Sequence, residues 1–159
     1  SPFSSPVEMR PFRLAKKIAA GADFIQTQMI FDMEGFKKYM KKVVEMGLHE
    51  KVAILAGLGP LKSTPMARFL NNKVPGIEVP DHLLERMDGA VKGIDEDDKD
   101  ARRDAWRAEG IKLCIEQIQE VREIEGVAGV HIMAIEWEAA IKPIVEGAGL
   151  FPRPDVLSE

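Results

Sequence analysis

The spacing of apolar residues changes repeatedly along the chain, from the three- and four-residue intervals of amphipathic helices to short, nearly continuous apolar runs. We interpret three short runs as strands, namely Phe24 to Phe31, which is rich in β-branched and aromatic residues, Val52 to Gly57, and Val127 to Ile135, which follows Gly126. The second run is apolar at every position, which is typical of a parallel strand buried on both faces. The pattern therefore predicts an α/β fold with a parallel sheet.

Amphipathic segments between these runs predict the helices. Their expected ranges are Val7 to Ala20, Met33 to Met46, Ser63 or Thr64 to Asn71, Asp81 to Met87, Asp95 to about Ile124, and Glu136 to Gly147. We expect Gly21 and Gly89 to end helices, and Asp32 and Asp81 to cap helix N-termini. Pro143 should kink the last helix. The order α-β-α-β-α-α-α-β-α implies right-handed crossovers between parallel strands.

Three parallel strands are too few to close a sheet. A closed eight-stranded barrel needs upwards of about 200 residues, whereas this chain has 159. An open sheet leaves two unpaired edges, so we expect further strands or a partner chain to cover them, and a homo-oligomer as one way to do so. The start, Ser1 to Pro6, has no initiator Met and no signal-peptide pattern, which indicates a processed or shortened chain.

Composition narrows the classes of function. With 22 Lys and Arg against 26 Asp and Glu, the net charge is −4, which argues against nucleic-acid and anionic-membrane binding. No apolar run approaches the roughly 20 residues of a membrane span. The single cysteine, Cys114, can form neither an internal disulfide nor a cysteine metal site. A reducing compartment such as the cytoplasm is therefore the simpler expectation.

Polar residues inside the predicted strands are the main candidates for chemistry. Strict alternation places Gln26 and Gln28 on one face of the first strand, where a buried amide needs a hydrogen-bond partner. Gln28 lies at the carboxyl end of that strand, where parallel α/β folds bind ligands. Two interpretations of Gln28 are therefore possible: it contacts a ligand, or it is a core amide whose hydrogen bonds are satisfied within the protein. His131, on the third strand, is interpreted as structural rather than catalytic.

Standard catalytic and binding motifs are absent from the sequence, including the dinucleotide fingerprint and the nucleophile elbow. Gly57-Leu58-Gly59 is weak evidence for a phosphate loop, and an ordinary strand-to-helix turn explains it better. The acidic run from Asp95 to Asp104 is interpreted as a solvated helix start rather than a metal site. Lys16 and Lys17 fit a solvated helix face, with phosphate binding as the alternative.

Several short blocks nevertheless form a recognisable set. They are Arg13-Leu14-Ala15-Lys16-Lys17, Ala20-Gly21-Ala22-Asp23-Phe24-Ile25-Gln26-Thr27-Gln28 with Phe31-Asp32, Gly57-Leu58-Gly59-Pro60-Leu61, Ile77-Glu78-Val79-Pro80, and Gly126-Val127-Ala128-Gly129-Val130-His131-Ile132-Met133-Ala134. In order and spacing they resemble the methylenetetrahydrofolate reductase family. The resemblance implies a partial (β/α)8 TIM barrel that holds the last three parallel strands with their helices. It also implies a single partial-barrel domain over residues 1–159, with irregular ends at 1–6 and 151–159.

The same resemblance implies an activity. The complete protein of that family holds FAD and reduces methylenetetrahydrofolate to methyltetrahydrofolate in one-carbon metabolism, with NAD(P)H or another electron donor. It implies that Gln28 contacts the pterin of folate and that Arg13, Lys16 and Lys17 help to hold FAD.

A folate-stacking aromatic residue is also implied, and Phe69 is its candidate, one residue before the matching position, which Leu70 occupies. Met66 replaces a frequent glutamine, and Met133 to Glu136 replace the usual Tyr-Thr-Leu-Asn. These departures indicate a divergent branch, with a different electron donor or a partner subunit.

The family's acidic proton donor and its pterin-binding aspartate belong to strands with no counterpart in this sequence. We therefore expect this chain alone to be inactive and to need the missing N-terminal part of the barrel or a partner subunit. A second hypothesis is a non-catalytic half-barrel module for binding or assembly, and a third is another pterin-binding barrel such as a methyltransferase.

Overall fold

The computed structural model describes residues 2–3 and 5–152. A 3-10 turn, Val7–Met9, leads into the first helix, and a second one, Glu138–Ala140, precedes the last. The other elements are α1 (Arg10–Ala19), β1 (Phe24–Met29), α2 (Met33–Glu45), β2 (Ala53–Leu58), α3 (Thr64–Lys73), α4 (Asp81–Ala90), α5 (Lys99–Arg122), β3 (Gly129–Ile132) and α6 (Ile141–Gly147). The predicted α/β class and element order are confirmed.

The three strands form one parallel sheet in the order β1-β2-β3. Ile25 pairs with Ile54 across the first strand pair, and Ala56 pairs with Val130 across the second. Consecutive parallel strands joined by helices are the repeating unit of a (β/α)8 barrel. The fold is consistent with part of such a barrel.

One face of the sheet is covered by helices. Ile54, Ala56 and Leu58 of β2 are almost fully buried on this side. They belong to a core that also contains Leu14 of α1, Phe36, Met40 and Val43 of α2, Cys114, Ile118 and Val121 of α5, and Ile144 of α6. We call this cluster the helix-side core.

The opposite face of the sheet is only partly covered by the residues that the structure describes. Phe24 is 56% exposed, Gln26 and Ala53 are exposed, and Leu55 and His131 are only partly buried. Residues on this face of a closed barrel would point into its interior. The sheet therefore presents an incompletely covered barrel-lining surface.

A second apolar cluster lies where the strands end. It consists of Met29, Phe31, Leu61, Ala67, Leu70, Ile77, Val79, Leu83, Leu84, Met87 and Leu113. The indole Nε1 of Trp106 on α5 donates to the carbonyl of Met87 at 3.0 Å, and Arg86 on α4 pairs with Glu109 and Glu116 on α5. These contacts hold α4 against α5 over this end of the sheet.

Several helix ends follow from local signals in the sequence. Gly21 has φ +96°, and the N–H groups of Gly21 and Ala22 donate to carbonyls in the last turn of α1, as in a Schellman cap. The carboxylate of Asp32 accepts from the N–H of Gly35 at 2.9 Å, and the hydroxyl of Ser63 accepts from the N–H of Met66 at 3.2 Å. These predicted caps are confirmed.

Two predicted boundaries of α4 are wrong. Asp81 is the first helical residue and makes no capping hydrogen bond, because Pro80 takes the N-cap position. Gly89 does not end the helix, which continues to Ala90. A carboxylate in the first helical turn still interacts favourably with the helix dipole, which explains the sequence signal.

The remaining differences concern the last third of the chain. The third strand is four residues long instead of nine. Helix α5 begins at Lys99 rather than Asp95, because the carboxylate of Asp98 accepts from the N–H of Ala101 and starts the helix there. Pro143 lies in the first turn of α6, where its missing N–H removes no intrahelical hydrogen bond, so the reason for the predicted kink does not apply.

The predicted irregular tail falls at residues 151–159, and of these the structure describes only Phe151 and Pro152, which form no helix or strand. Among the described residues, no helix is long and apolar enough to cross a membrane.

Candidate functional site

The carboxyl end of β1 contains a bulge. Gln26 pairs with Leu55 and Met29 pairs with Gly57, so β1 uses one residue more than β2 between these two pairs. The alternation of side chains is offset beyond this point, because Ile25 and Ile30 both pack against the helix-side core. The predicted alternation therefore fails at the carboxyl end of the strand.

The bulge separates the two glutamines. Gln26 is exposed and lines a groove beside α1, whereas Gln28 is partly buried and lines a cleft at the strand ends. The prediction that they share one buried face is wrong. Because the bulge adds one residue, each amide can serve a different surface.

The strand-end cleft has a volume of about 490 Å³. It is lined by Gln28, Met29, Lys62, Ser63, Met66, Phe69, Leu70, Val74, Ile77, Met133, Ile135 and Glu136. These residues come from the ends of β1 and β3, from the β2–α3 loop and from α3 and the segment after it. A cleft outside the carboxyl ends of parallel strands is the usual ligand position in such folds.

Gln28 presents its amide at one wall of this cleft. Its Oε1 accepts from the backbone N–H of Met29 at 3.3 Å. No residue in the described part of the chain accepts a hydrogen bond from its Nε2. The amide N–H groups can therefore donate to a ligand without breaking a contact in the protein.

Phe69 and Gln28 line the same cleft, although they are far apart in sequence. The Phe69 side chain is 59% exposed, whereas its neighbour Leu70 is 8% exposed and belongs to the apolar cluster at the strand ends. The ring of Phe69 is therefore accessible to a ligand, whereas the side chain of Leu70 is not. An exposed ring beside an apolar wall is suited to stacking on a planar molecule.

Sequence reasoning did not select several cleft residues, of which Lys62 and Glu136 carry charge. Lys62 lies in the β2–α3 loop, and its Nζ donates to the backbone carbonyl of Glu136 at 3.3 Å. Glu136 has φ +53° and is the one non-glycine residue with positive φ in the described part of the chain. Lys62 follows the carboxyl end of the buried strand β2, where parallel folds bind ligands, and this position could have identified it from the sequence.

A second groove lies beside α1 and has a volume of about 240 Å³. Arg10, Arg13 and Lys17 line it together with Gln26 and Tyr39, and we call it the basic groove. Burial raises the pKa of the Tyr39 hydroxyl to about 12, so this tyrosine stays neutral at physiological pH. Three cations around one opening favour an anionic ligand.

The structure does not place all three predicted cations in this groove. Arg13 and Lys17 line it, but Lys16 is exposed and is not among its lining residues. Arg10 also lines the groove and was not selected from the sequence. Its position one helical turn before Arg13 was the available signal.

Gly57 and Gly59 allow close approach between strands. A Cβ at Gly57 would lie 2.6 Å from the carbonyl oxygen of Thr27, and one at Gly59 would lie 2.5 Å from that of Met133. Neither glycine has a positive φ. The close packing at these two positions leaves no room for a side chain, which explains why both are glycines. The geometry does not support the alternative of a phosphate loop.

Other candidates lie outside the two clefts. His131 is partly buried on the open face of the sheet, and its Nδ1 has no hydrogen-bond partner among the described residues. Burial raises the pKa of the Cys114 thiol to about 12, which disfavours a reactive thiolate. Over the part of the chain that the structure describes, no group of three or more His, Cys, Asp or Glu side chains could hold a metal ion.

Comparison with known proteins gives a consistent result. Residues 3–149 match the sequence model of a family described as methylenetetrahydrofolate reductase. Among curated proteins, the chain is 33% identical over 140 residues to methylenetetrahydrofolate reductase 2 of Saccharomyces cerevisiae. It is 30% identical over 138 residues to methylenetetrahydrofolate reductase 1 of Schizosaccharomyces pombe. It is 27% identical over 138 residues to a probable methylenetetrahydrofolate reductase (NADPH) of Caenorhabditis elegans.

The coverage of these matches is unequal. They include 87%, 86% and 87% of this chain, respectively, but only 21%, 21% and 19% of the relatives. The chain therefore spans about a fifth of the length of the curated relatives it matches.

Proposed function

Because the chain belongs to the methylenetetrahydrofolate reductase family, we propose that the protein containing it reduces methylenetetrahydrofolate to methyltetrahydrofolate. The chain contributes the last three strands of the barrel and their helices. Its own residues bind and orient the substrate and part of the cofactor.

The strand-end cleft is the observation that carries this proposal. It combines the amide of Gln28, the exposed ring of Phe69 and a largely apolar wall. A folate has a flat pterin with hydrogen-bonding edges and a second aromatic ring, so it needs these types of side chain. The Gln28 amide would fix the orientation of the pterin, and the apolar wall would exclude water from the ring faces.

The basic groove fits the anionic part of FAD. Arg13 and Lys17 would neutralise the diphosphate, and Gln26 would offer an amide to the same ligand. FAD, when bound, supplies the hydride-transfer chemistry. The electron donor would be NAD(P)H or another reductant, and the name of the C. elegans relative specifies NADPH for that protein.

The open face of the sheet supports the proposal that another part of the protein or another subunit completes the active site. Within the described residues, the outer edges of β1 and β3 have no partner strand, and the lining residues are partly exposed. Both features favour pairing with the N-terminal part of the barrel or with a partner subunit. Self-association into a homo-oligomer would cover part of the same surface. We propose a cytoplasmic protein that does not act on nucleic acid or membranes, consistent with its charge of −4 and its single buried cysteine.

The exposed sheet face also supports a second function. A non-catalytic half-barrel would use this surface to assemble with another chain, and the clefts would then bind ligands without turnover.

Product formation distinguishes the two functions. The assembled protein, loaded with FAD, is mixed anaerobically with methylenetetrahydrofolate and an electron donor. We expect methyltetrahydrofolate to form. Folate binding without product would favour the assembly module, and the absence of both binding and product would contradict the proposed reductase.

A further inference from the structure

Lys62 is the one cation among the described residues that line the strand-end cleft. It lies in the β2–α3 loop, immediately before the N-cap residue Ser63. Its side chain is partly exposed, so the ammonium group can be reached from the cleft. Its position is thus fixed by the end of a buried strand on one side and a capped helix on the other.

The charge of Lys62 is not neutralised within the described part of the chain. No carboxylate lies within ion-pair distance of its Nζ. The one hydrogen bond that its Nζ makes within the described residues goes to the backbone carbonyl of Glu136, at 3.3 Å. An ammonium group has three donors, so two stay available to an anionic ligand.

The Glu136 carbonyl is held by an unusual backbone conformation. The φ of +53° at Glu136 lies in the left-handed region, which is unfavourable for a residue with a Cβ. This residue follows β3, and the Lys62 contact links the ends of β2 and β3 across the cleft. Lys62 is therefore oriented over the cleft by a specific partner.

We propose that Lys62 binds a carboxylate in the glutamate tail of the folate substrate, an inference that rests on the proposed function. The cleft then offers one matching group for each part of the ligand. The amide of Gln28 serves the pterin, the apolar wall with Phe69 serves the aromatic rings, and Lys62 serves the anionic tail. Glu136 is the one acidic residue among the described residues of this lining, and its carboxylate would disfavour the tail near its own side chain.

The test compares methyltetrahydrofolate with its dimethyl ester, in which the tail carboxylates are uncharged. Dissociation constants are measured on the assembled protein, on the Lys62→Met variant and on Lys51→Met as a control. Lys51 is exposed and lies outside the cleft lining. The parent and Lys51→Met should bind the acid about fivefold more tightly than the ester, the effect of one partly exposed ion pair. Lys62→Met should bind the acid and the ester equally.

Two results would overturn the assignment of Lys62 alone. In one, the parent does not distinguish the acid from the ester. In the other, Lys62→Met distinguishes them as well as the parent does. If neither the acid nor the ester binds to the assembled parent, the proposed function fails together with this inference.

Discussion

The hydroxyl of Thr27 accepts a hydrogen bond from the backbone N–H of Gly57 at 2.8 Å. The same hydroxyl donates to the carbonyl of Gln28 at 2.8 Å. The bulge interrupts the backbone hydrogen bonds between β1 and β2. At this point a side-chain hydroxyl, instead of a backbone carbonyl, accepts the hydrogen bond from the Gly57 N–H. The residue that we assign to the pterin is therefore held by its neighbour in sequence.

Replacing Thr27 tests this arrangement. Thr27→Val keeps the shape of the side chain but leaves the Gly57 N–H without its acceptor, which should cost about 1–3 kcal/mol. Thr27→Ser keeps the hydroxyl and should cost less. The measurement is the free energy of unfolding in urea, and equal stability of the parent and the valine variant would contradict the role of this contact.

A pair of glycine substitutions tests the packing of α5. A Cβ at Gly110 would overlap the backbone carbonyl of Leu61, so Gly110→Ala should move α5 away from the β2–α3 loop and destabilise the protein by about 3 kcal/mol or more. Gly89→Ala is the control, because Gly89 is an exposed position of α4 and its Cβ would meet nothing within 4 Å. It should stabilise by about 0.4–1 kcal/mol. Thermal unfolding of both variants measures the difference, and similar effects would show that α5 is not packed as described.

Gln28→Leu tests the substrate side of the site. Leucine has a similar volume and suits the apolar wall, so the fold and the flavin spectrum should be preserved. Loss of one hydrogen bond to a buried ligand group costs about 1–3 kcal/mol, which corresponds to roughly a ten- to hundredfold slower reaction with folate. Rapid-mixing kinetics of the two half-reactions give the answer. Equal slowing of folate reduction and of flavin reduction by the donor would assign Gln28 a structural role instead.

Two adjacent lysines provide a matched test of the basic groove. Lys17 lines the groove and Lys16 does not, although both are exposed on α1. Lys17→Gln should weaken FAD binding about threefold to tenfold, since it removes one partly solvated contact to a phosphate. Lys16→Gln should change it by less than about twofold. Flavin release during dilution is the measurement, and an equal effect of both variants would indicate a general charge effect rather than a groove.

Cys114 should make the protein less stable in alkali. Burial raises its pKa from 9.0 to about 12, so the unfolded chain loses the thiol proton at a lower pH than the folded chain. The buried neutral thiol therefore contributes to the free energy of unfolding fully below about pH 9. This contribution is lost as the pH rises from about 9 to about 12. Cys114→Ala should flatten the fall in unfolding free energy over this range. An unchanged pH profile in the alanine variant would show that the thiol does not contribute to it.

Much of the fold was predictable because its signals are local. The continuous apolar run of β2, the cap at Asp32 and the glycine at position 21 each report on a few neighbouring residues. The bulge in β1 is different, because it depends on a hydrogen bond from the N–H of Gly57 in another strand to the side-chain hydroxyl of Thr27. No periodicity within β1 itself contains that information.

The candidate site shows the same difference between local signals and contacts that depend on distant parts of the chain. Gln28 could be selected from its place at a strand end, but the sequence gives no distance between Gln28 and Phe69. Lys62 was missed because a lysine in a loop is usually solvated, and its interaction with Glu136 forms only when β2 and β3 are adjacent. Lys16 and Lys17 are neighbours in sequence, yet successive helical residues point in different directions.

The bulge also restricts how this segment can change during evolution. Gln26, Gln28 and Ile30 are spaced two residues apart, yet they serve the basic groove, the strand-end cleft and the helix-side core, respectively. Deleting one residue here would restore a regular strand and turn Ile30 out of the core. Homologous sequences should therefore differ in this stretch by substitution and keep its length constant, without insertions or deletions.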